Sequence, residues 1–175
     1  MPLPPFGSSL WPDPSLFEHS SLSIARLTAS EKPIAISESD IENIIRAKAA
    51  IYAGLVTLVK SVGLSPGDIQ QILIAGAFGS FIDIERAIMI GLLPDLPAER
   101  FHFVGNGSLT GARLAALSTD VMKQARQAVK KMTNLELSEN GDFMNNYVAA
   151  LFLPHTNIEE FPSVEMRLSQ IRRDR

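Results

Sequence analysis

The chain predicts an α/β fold, a small mixed sheet covered by helices, and three observations carry that expectation. Ile72 to Ala75 is a short apolar run that stops at Gly76 and Gly79, and an amphipathic segment opens after it at Asp83. That order is strand, tight glycine loop, helix, which brings bare backbone close to a nucleotide. Phe101 to Leu117, FHFVGNGSLTGARLAAL, repeats the order about thirty residues later, suggesting one nucleotide-facing edge. Ile41, Ile44, Ile51, Leu55, Leu58 and Val62 recur at the spacing of one helix face, so a long helix precedes both units.

The elements follow in order. Residues 1–20 hold five prolines, Pro2, Pro4, Pro5, Pro12 and Pro14, and read as an extended or disordered lead-in. Leu22 to Leu27 and Pro33 to Ile36 flank the polar stretch Thr28 to Lys32 as a hairpin. Ser37 or Ser39 caps the long helix, and Ser39 with Glu42 has the spacing of a capping box. Gly63 ends that helix, and Ser65 with Pro66 opens a short turn. The strand at Ile72 to Ala75 is continuously apolar, as strands covered on both faces are. A helix from Ile84 to Leu92 stops near Gly91 and Pro94, and a loop from Leu93 leads to a strand at His102 to Val104. Helices follow at Ser108 to Leu117 and Asp120 to Lys131, the second ending in Lys130 and Lys131 where cations suit the helix dipole. Leu135 to Leu137 is a last short strand, and Asp142 to Leu153 an amphipathic helix stopped by Pro154. The organisation is a lead-in at 1–20, a folded body at 21–164 and a polar tail at 165–175.

Composition narrows the function classes. The net charge of -3 offers no basic field for nucleic acid. No run approaches the ~20 apolar residues that span a bilayer, and the start, MPLPPFGSSLWPDPS, lacks the basic and apolar regions of a secretory signal. With no cysteine, the chain has no disulfide, no cysteine-held zinc or iron–sulfur cluster and no thiol nucleophile. A cytoplasmic location is the expectation.

The candidate ligand contacts are in the two loops. In Gly76-Ala77-Phe78-Gly79, glycine permits positive φ and removes the side chain that would hold a ligand off. The pattern is neither G-x-G-x-x-G nor a Walker loop. In Gly105-Asn106-Gly107-Ser108, Asn106 tolerates left-handed backbone and Ser108 suits a helix cap, while Gly111 and Ala112 let the helix lie close to the sheet. Both loops are equally explained as tight, capped strand-to-helix turns without a ligand. On the long helix, Arg46, Ala50, Ala53, Gly54 and Thr57 form a strip of mostly small residues along which a flat ring or another backbone can lie. Lys48 sits among aliphatic neighbours, where a lysine either extends to water or meets a ligand. Asp83 is a helix cap. His19, His102 and His155 are too scattered to ligate a metal, and no Ser/His/Asp set has any context. The residues give a nucleotide-type architecture with no catalytic group and no metal site.

The segments SESDIENIIRAKAAIYAGLVTLVKSVGL, ILIAGAFGSFIDIERAIMIGLLPDLP, FHFVGNGSLTGARLAALS and FMNNYVAALFLPH, in that order, resemble the C-terminal part of the reductive activators of corrinoid proteins. These are iron–sulfur proteins whose ATPase domain is of the actin-like superfamily of acetate and sugar kinases and heat-shock chaperones. The resemblance covers Ser37 to Val164 and implies a partial actin-like, ribonuclease H-like ATPase lobe. It implies ATP-dependent restoration of cobalt(I) in corrinoid-dependent methyltransferase systems, with a corrinoid protein or methyltransferase as partner. Ile74 to Phe81 looks like the adenosine motif, with Ala77 where many relatives have a second glycine. VGNGSLTGARLAA resembles the helix beneath the adenosine, and Arg46 and Lys48 lie on the helix that borders base and ribose in such folds. Gly76, Ala77, Phe78, Gly79, Gly105, Asn106, Gly107, Ser108, Arg46 and Lys48 are therefore the expected contacts of ATP or ADP with Mg²⁺. The iron–sulfur cluster of the family has no ligands in this chain, and no phosphate loops precede Ser37. The chain is thus expected to be the C-terminal piece of a larger activator or a truncated product, inactive without N-terminal domains. The alternative expectation is a binding or assembly module that keeps the fold without nucleotide, its unpaired sheet edge supporting a homo-oligomer.

Overall fold

A computed structural model describes residues 21–25, 34–76 and 79–173. The chain divides into two compact units, residues 1–46 and 47–175. In the first, β1 (Ser21–Ala25) and β2 (Ile34–Ser37) pair antiparallel, with Leu22 opposite Ile36 and an irregularity between Ser23 and Ala25. This is the hairpin read from the sequence; the lead-in at 1–20 and the stretch Thr28 to Lys32 lie outside the described residues.

Helix α1 (Glu38–Ser61) begins in the first unit and continues in the second. Its N-terminus settles the choice between two serines in favour of Ser37. The Ser37 hydroxyl and N–H donate to Asp40 Oδ2 at 2.6 and 2.9 Å, and Asp40 N–H donates back to Ser37 Oγ at 3.2 Å. Those bonds, the hydroxyl's first, hold the Asp40 carboxyl below the usual carboxylate range. Ser39 and Glu42 do not form the box: both lie inside the helix, and Glu42 pairs with Arg46 at 3.0 Å. The helix ends at Gly63 (φ 76°), where Leu64 N–H reaches back to Val59 O. A second reciprocal box, Ser65 with Asp68, opens the turn at Pro66–Asp68.

In the second unit β3 (Ile72–Ala75) and β4 (Phe101–Gly105) pair parallel, Ile72 opposite Phe101 and Leu73 opposite His102. The crossover between them carries α2 (Ile84–Met89), capped by Asp83 Oδ1 accepting from Arg86 N–H at 3.1 Å. Arg100, just before β4, donates to Gly67 O and Ile69 O at 2.9 and 2.6 Å, which ties the approaches to both strands together. Then come α3 (Gly107–Leu117) and α4 (Thr119–Lys131), joined by Ser118 alone, which caps α4 through Val121 N–H. Finally α5 (Gly141–Ala150) and α6 (Pro162–Arg173) complete the unit.

The structure alters four expectations. The strands form two separate two-stranded ladders among the described residues rather than one sheet. No strand forms at Leu135 to Leu137; a single 3₁₀ turn runs Leu137–Glu139, and Leu137 instead lies over Gly54, where an added β-carbon would sit 3.7 Å from its Cδ1. The tail is helical to Arg173: Pro162 opens α6, Asp95 Oδ2 accepts from Ser163 N–H at 2.7 Å, Val164 is buried, and Arg172 and Arg173 suit its last turn. Most important, α1 does not bury its large aliphatic stripe. Ile51, Leu58 and Val62 are exposed, and the buried side is Lys48, Ala49, Tyr52, Ala53, Val56 and Thr57. Alanines let the helix axis approach its neighbours, and the space is filled by rings: Tyr52 lies 5.4 Å from Phe161 and 5.5 Å from His155 between centroids.

These residues meet Ala87, Ile88, Leu93, Leu96, Phe101, Ala150 and Val164 in the core. Burying a ring such as Phe161 stabilises by roughly 1.5–3 kcal/mol. Polar pins accompany them. The Tyr52 hydroxyl donates to Glu160 Oε2 at 2.9 Å, and burial first, then the Glu160 charge, pushes its pKa up. Asn146 donates to Thr57 Oγ1 at 3.0 Å. Each buried side-chain polar atom among the described residues has a partner.

Candidate functional site

Parallel strands present their C-terminal ends together, and ligands of such sheets bind there. Here Gly76 follows β3 directly and Gly105 ends β4, both with positive φ (96° and 61°). Gly76 N–H donates to Gly105 O at 2.6 Å, so the two loops that the sequence separates become one edge. Among the described residues, an added β-carbon at either glycine would meet no atom within 4 Å, so the strain that it would bring lies in the backbone.

One further glycine is required by packing, and another lies in ordinary contact with the strand. A β-carbon at Gly79 would fall 2.5 Å from Ile74 Cγ2, and one at Gly107 would sit 3.7 Å from Ala75 Cβ. Gly79 therefore lets the 3₁₀ turn Gly79–Phe81 close down on β3, while Gly107, where α3 starts, lies beside Ala75 at a distance that a β-carbon would tolerate. Asn106 is the cap of α3: its Oδ1 accepts from Leu109 N–H at 3.0 Å. Here the sequence reading is corrected twice. The left-handed residue is Gly105 and not Asn106, which has φ -79°, and the cap is Asn106 and not Ser108, which is exposed in the first turn. Asparagine one residue before a helix-starting glycine was the available signal. Ala77 and Phe78 lie outside the described residues.

The two basic candidates separate. Arg46 belongs to the first unit and is ion-paired with Glu42. Lys48 is 2% exposed. Its ammonium donates to Pro154 O at 2.7 Å and to Phe152 O, fastening the loop after α5. Burial pulls its pKa down to about 8. Gly91 makes room for this junction, since a β-carbon there would collide with Pro154 O and sit 3.1 Å from Lys48 Nζ. A lysine so engaged is a clamp on chain 152–154, a role that its aliphatic neighbours did not announce.

No group of three or more His, Cys, Asp or Glu among the described residues is placed to hold a metal ion. A cavity of about 490 Å³ lies between α2 and α6, lined by Ile84, Ile88, Met89, Leu96, Val164 and Arg167; none of the loop glycines lines it. A second, about 290 Å³, is lined by Tyr52, Lys60, Asp95 and Glu160 among others. No described helix is long and apolar enough to cross a membrane.

Two glycines without a β-carbon at the joined strand ends, Gly76 and Gly105, suit the close approach of a flat ring to backbone. Among the described residues no cluster suited to phosphate-bound Mg²⁺ is found with them, and a chain without cysteine does not fit an iron–sulfur cluster.

Comparison with known proteins gives concordant results. The family profile of the C-terminal domain of RACo, the ASKHA domain, matches residues 16–165. The chain is 36% identical over 126 residues to the corrinoid activation enzyme RamQ of Eubacterium limosum, covering 70% of this chain and 21% of that protein. It is 31% identical over 120 residues to the [Co(II) methylated amine-specific corrinoid protein] reductase of Methanosarcina barkeri, covering 67% of this chain and 22% of that one. Among solved structures, a reductive activator for corrinoid, iron-sulfur protein superposes with a TM-score of 0.75 at 45% identity, over 82% of this chain and 23% of that chain. The chain thus spans about a fifth of the length of these relatives.

Proposed function

The chain belongs to the family of the RACo C-terminal domain, the ASKHA domain, and from that membership we propose that it is the adenosine-facing lobe of an ATP-dependent activator of corrinoid proteins. The observation that carries the reading is the joined edge: Gly76 bonded to Gly105 at the ends of two parallel strands, with no atom of the described residues within 4 Å of a β-carbon added at either. On this reading the adenosine lies against main chain at Gly76, Gly79 and Gly105 to Ser108. Asn106 holds the start of α3 in place. Ala77 and Phe78 belong to the same proposed contact. Arg46 is the outer candidate, and Lys48 serves from a distance by fixing the loop at Pro154.

The reaction of the whole activator would be one electron passed to cobalt(II), giving cobalt(I) and an activator oxidised by one electron. The electron would come from an iron–sulfur centre outside this chain, and the corrinoid cobalt is the substrate. The cytoplasm is the compartment that suits such chemistry. This lobe supplies half of a nucleotide site, and phosphoryl chemistry needs both halves positioned around phosphate and Mg²⁺. Two solution measurements check the reading. Calorimetric titration with ADP is expected to show weak binding, and an assay with Mg-ATP no sustained turnover. Robust hydrolysis by this chain contradicts the half-site.

A further inference from the structure

We infer that Asn106–Gly107 is a self-modification site, at which the chain converts Asn106 into a mixture of aspartate and isoaspartate and so loosens the cap of α3. Two asparagines in the sequence precede glycine, Asn106 and Asn140. Each caps a helix whose first residue is that glycine. Asn106 Oδ1 accepts from Leu109 N–H at 3.0 Å, and Asn140 Oδ1 accepts from Asp142 N–H at 2.9 Å. The fold asks for glycine at neither place. Neither Gly107 nor Gly141 has positive φ. A β-carbon at Gly107 would sit at ordinary contact distance from Ala75, and one at Gly141 would meet no described atom within 4 Å. What glycine supplies is an unhindered main-chain nitrogen beside a side-chain amide. At the first helical position its N–H has no intrahelical acceptor.

The chemistry needs only water. The Gly107 nitrogen attacks Asn106 Cγ, and the new C–N bond closes a ring. The side-chain nitrogen leaves as ammonia, taking up the proton of the Gly107 N–H. Water then opens the ring at either carbonyl. Opening at the side-chain carbonyl gives aspartate, which still caps a helix. Opening at the main-chain carbonyl gives isoaspartate, whose backbone is one carbon longer, and the cap geometry is lost.

Ring closure requires the asparagine to leave its cap, so the cost of opening the helix start decides which of the two reacts. Helix α3 buries none of its residues, and Asn106 is exposed. Helix α5 is fastened along its length: Ala150 is fully buried, Tyr147 packs on the core, and Asn146 donates to Thr57 Oγ1 at 3.0 Å. Asn140 is half-buried, and its own N–H donates to Leu137 O at 3.2 Å. Asn106 is therefore the faster site.

The test incubates the folded chain at mildly alkaline pH and maps its peptides by mass spectrometry, with isoaspartate scored by enzymatic methylation. Asn106 is expected to convert roughly tenfold faster than Asn140, because its helix start opens at lower cost. In urea, where no helix distinguishes them, the two rates are expected to converge. Gly107→Ala, whose β-carbon the fold accommodates, is expected to suppress most conversion at Asn106 and to leave the rate at Asn140 unchanged. Conversion at Asn140 as fast as at Asn106 in the folded chain overturns the inference. So does a difference that persists in urea, or a Gly107→Ala chain that converts at Asn106 as fast as the parent. The consequence for ligand binding rests on the adenosine reading: a new negative charge at the edge is expected to weaken ADP binding by the converted chain. If the unconverted chain binds no ADP, that reading fails while the mapped modification stands.

Discussion

Two regions of the second unit are built on opposite plans. Around Tyr52 and Phe161, helix α1 is locked to α5, α6 and their loops by rings and by buried polar bonds, Lys48 to Pro154 O and Tyr52 to Glu160 among them. At the ends of β3 and β4 the described bonds are those of backbone and a cap: two positive-φ glycines bonded to each other and a capped helix that buries none of its residues. The contrast separates what holds the lobe together from what it offers. The first region anchors the helix and the strands; the second brings glycine backbone together at the edge where the adenosine is proposed to lie.

That contrast is open to attack by substitution. Phe161→Ala is expected to have the largest effect, about 3–5 kcal/mol of stability lost, since the ring is fully buried and its space cannot collapse easily. Urea denaturation measures it, and a loss below about 1 kcal/mol would mean that this region is not the anchor. Lys48 comes next. Its folded pKa is about 8 against an ordinary value of 10.5. Between those values the unfolded chain binds more protons than the folded one, so stability should rise with pH from about 8 to 10.5 and fall back as pH drops toward 8. Above about pH 10 the raised pKa of Tyr52 acts in the opposite direction, because the unfolded chain loses that proton first. Lys48→Met should abolish the rise and cost about 1–3 kcal/mol by leaving buried carbonyls without their donor. Denaturation of both proteins at several pH values reads this out, and a rise that persists in the variant assigns it to another group. The smallest effect is expected at the edge: Leu117→Ala, on the exposed side of α3, should stay within about 0.5 kcal/mol.

Local chemistry was legible in the sequence. Both strand–glycine–helix units, the hairpin, the caps at Asp83 and the stop at Gly63 depend on neighbours within a few residues, and they appear where expected. Tertiary choices were not legible. The aliphatic stripe of α1 has the right period for a core face, but period does not say which of two adjacent strips meets the rest of the chain. Burial went to the strip with Ala49, Tyr52 and Ala53, because close approach and ring packing act between elements far apart in sequence. Lys48 escaped for the same reason, since its acceptors lie more than a hundred residues away. Helix α6 was missed although Val164, Leu168 and Ile171 recur at helical spacing, because charged residues dominate the stretch. The glycine loops at the strand ends were legible as turns, but the division of labour between Gly105, Asn106 and Ser108 needed backbone angles and a hydrogen bond.

The claim that the two loops form one adenosine-facing edge is tested most directly by amide-resolved NMR during titration with ADP. The account predicts shifts concentrated at the amides of residues 76–79 and 105–109, with those of Ile88 and Val164 beside the α2–α6 cavity unmoved. Shifts centred on that cavity, or none at the loops under millimolar ADP, would contradict it.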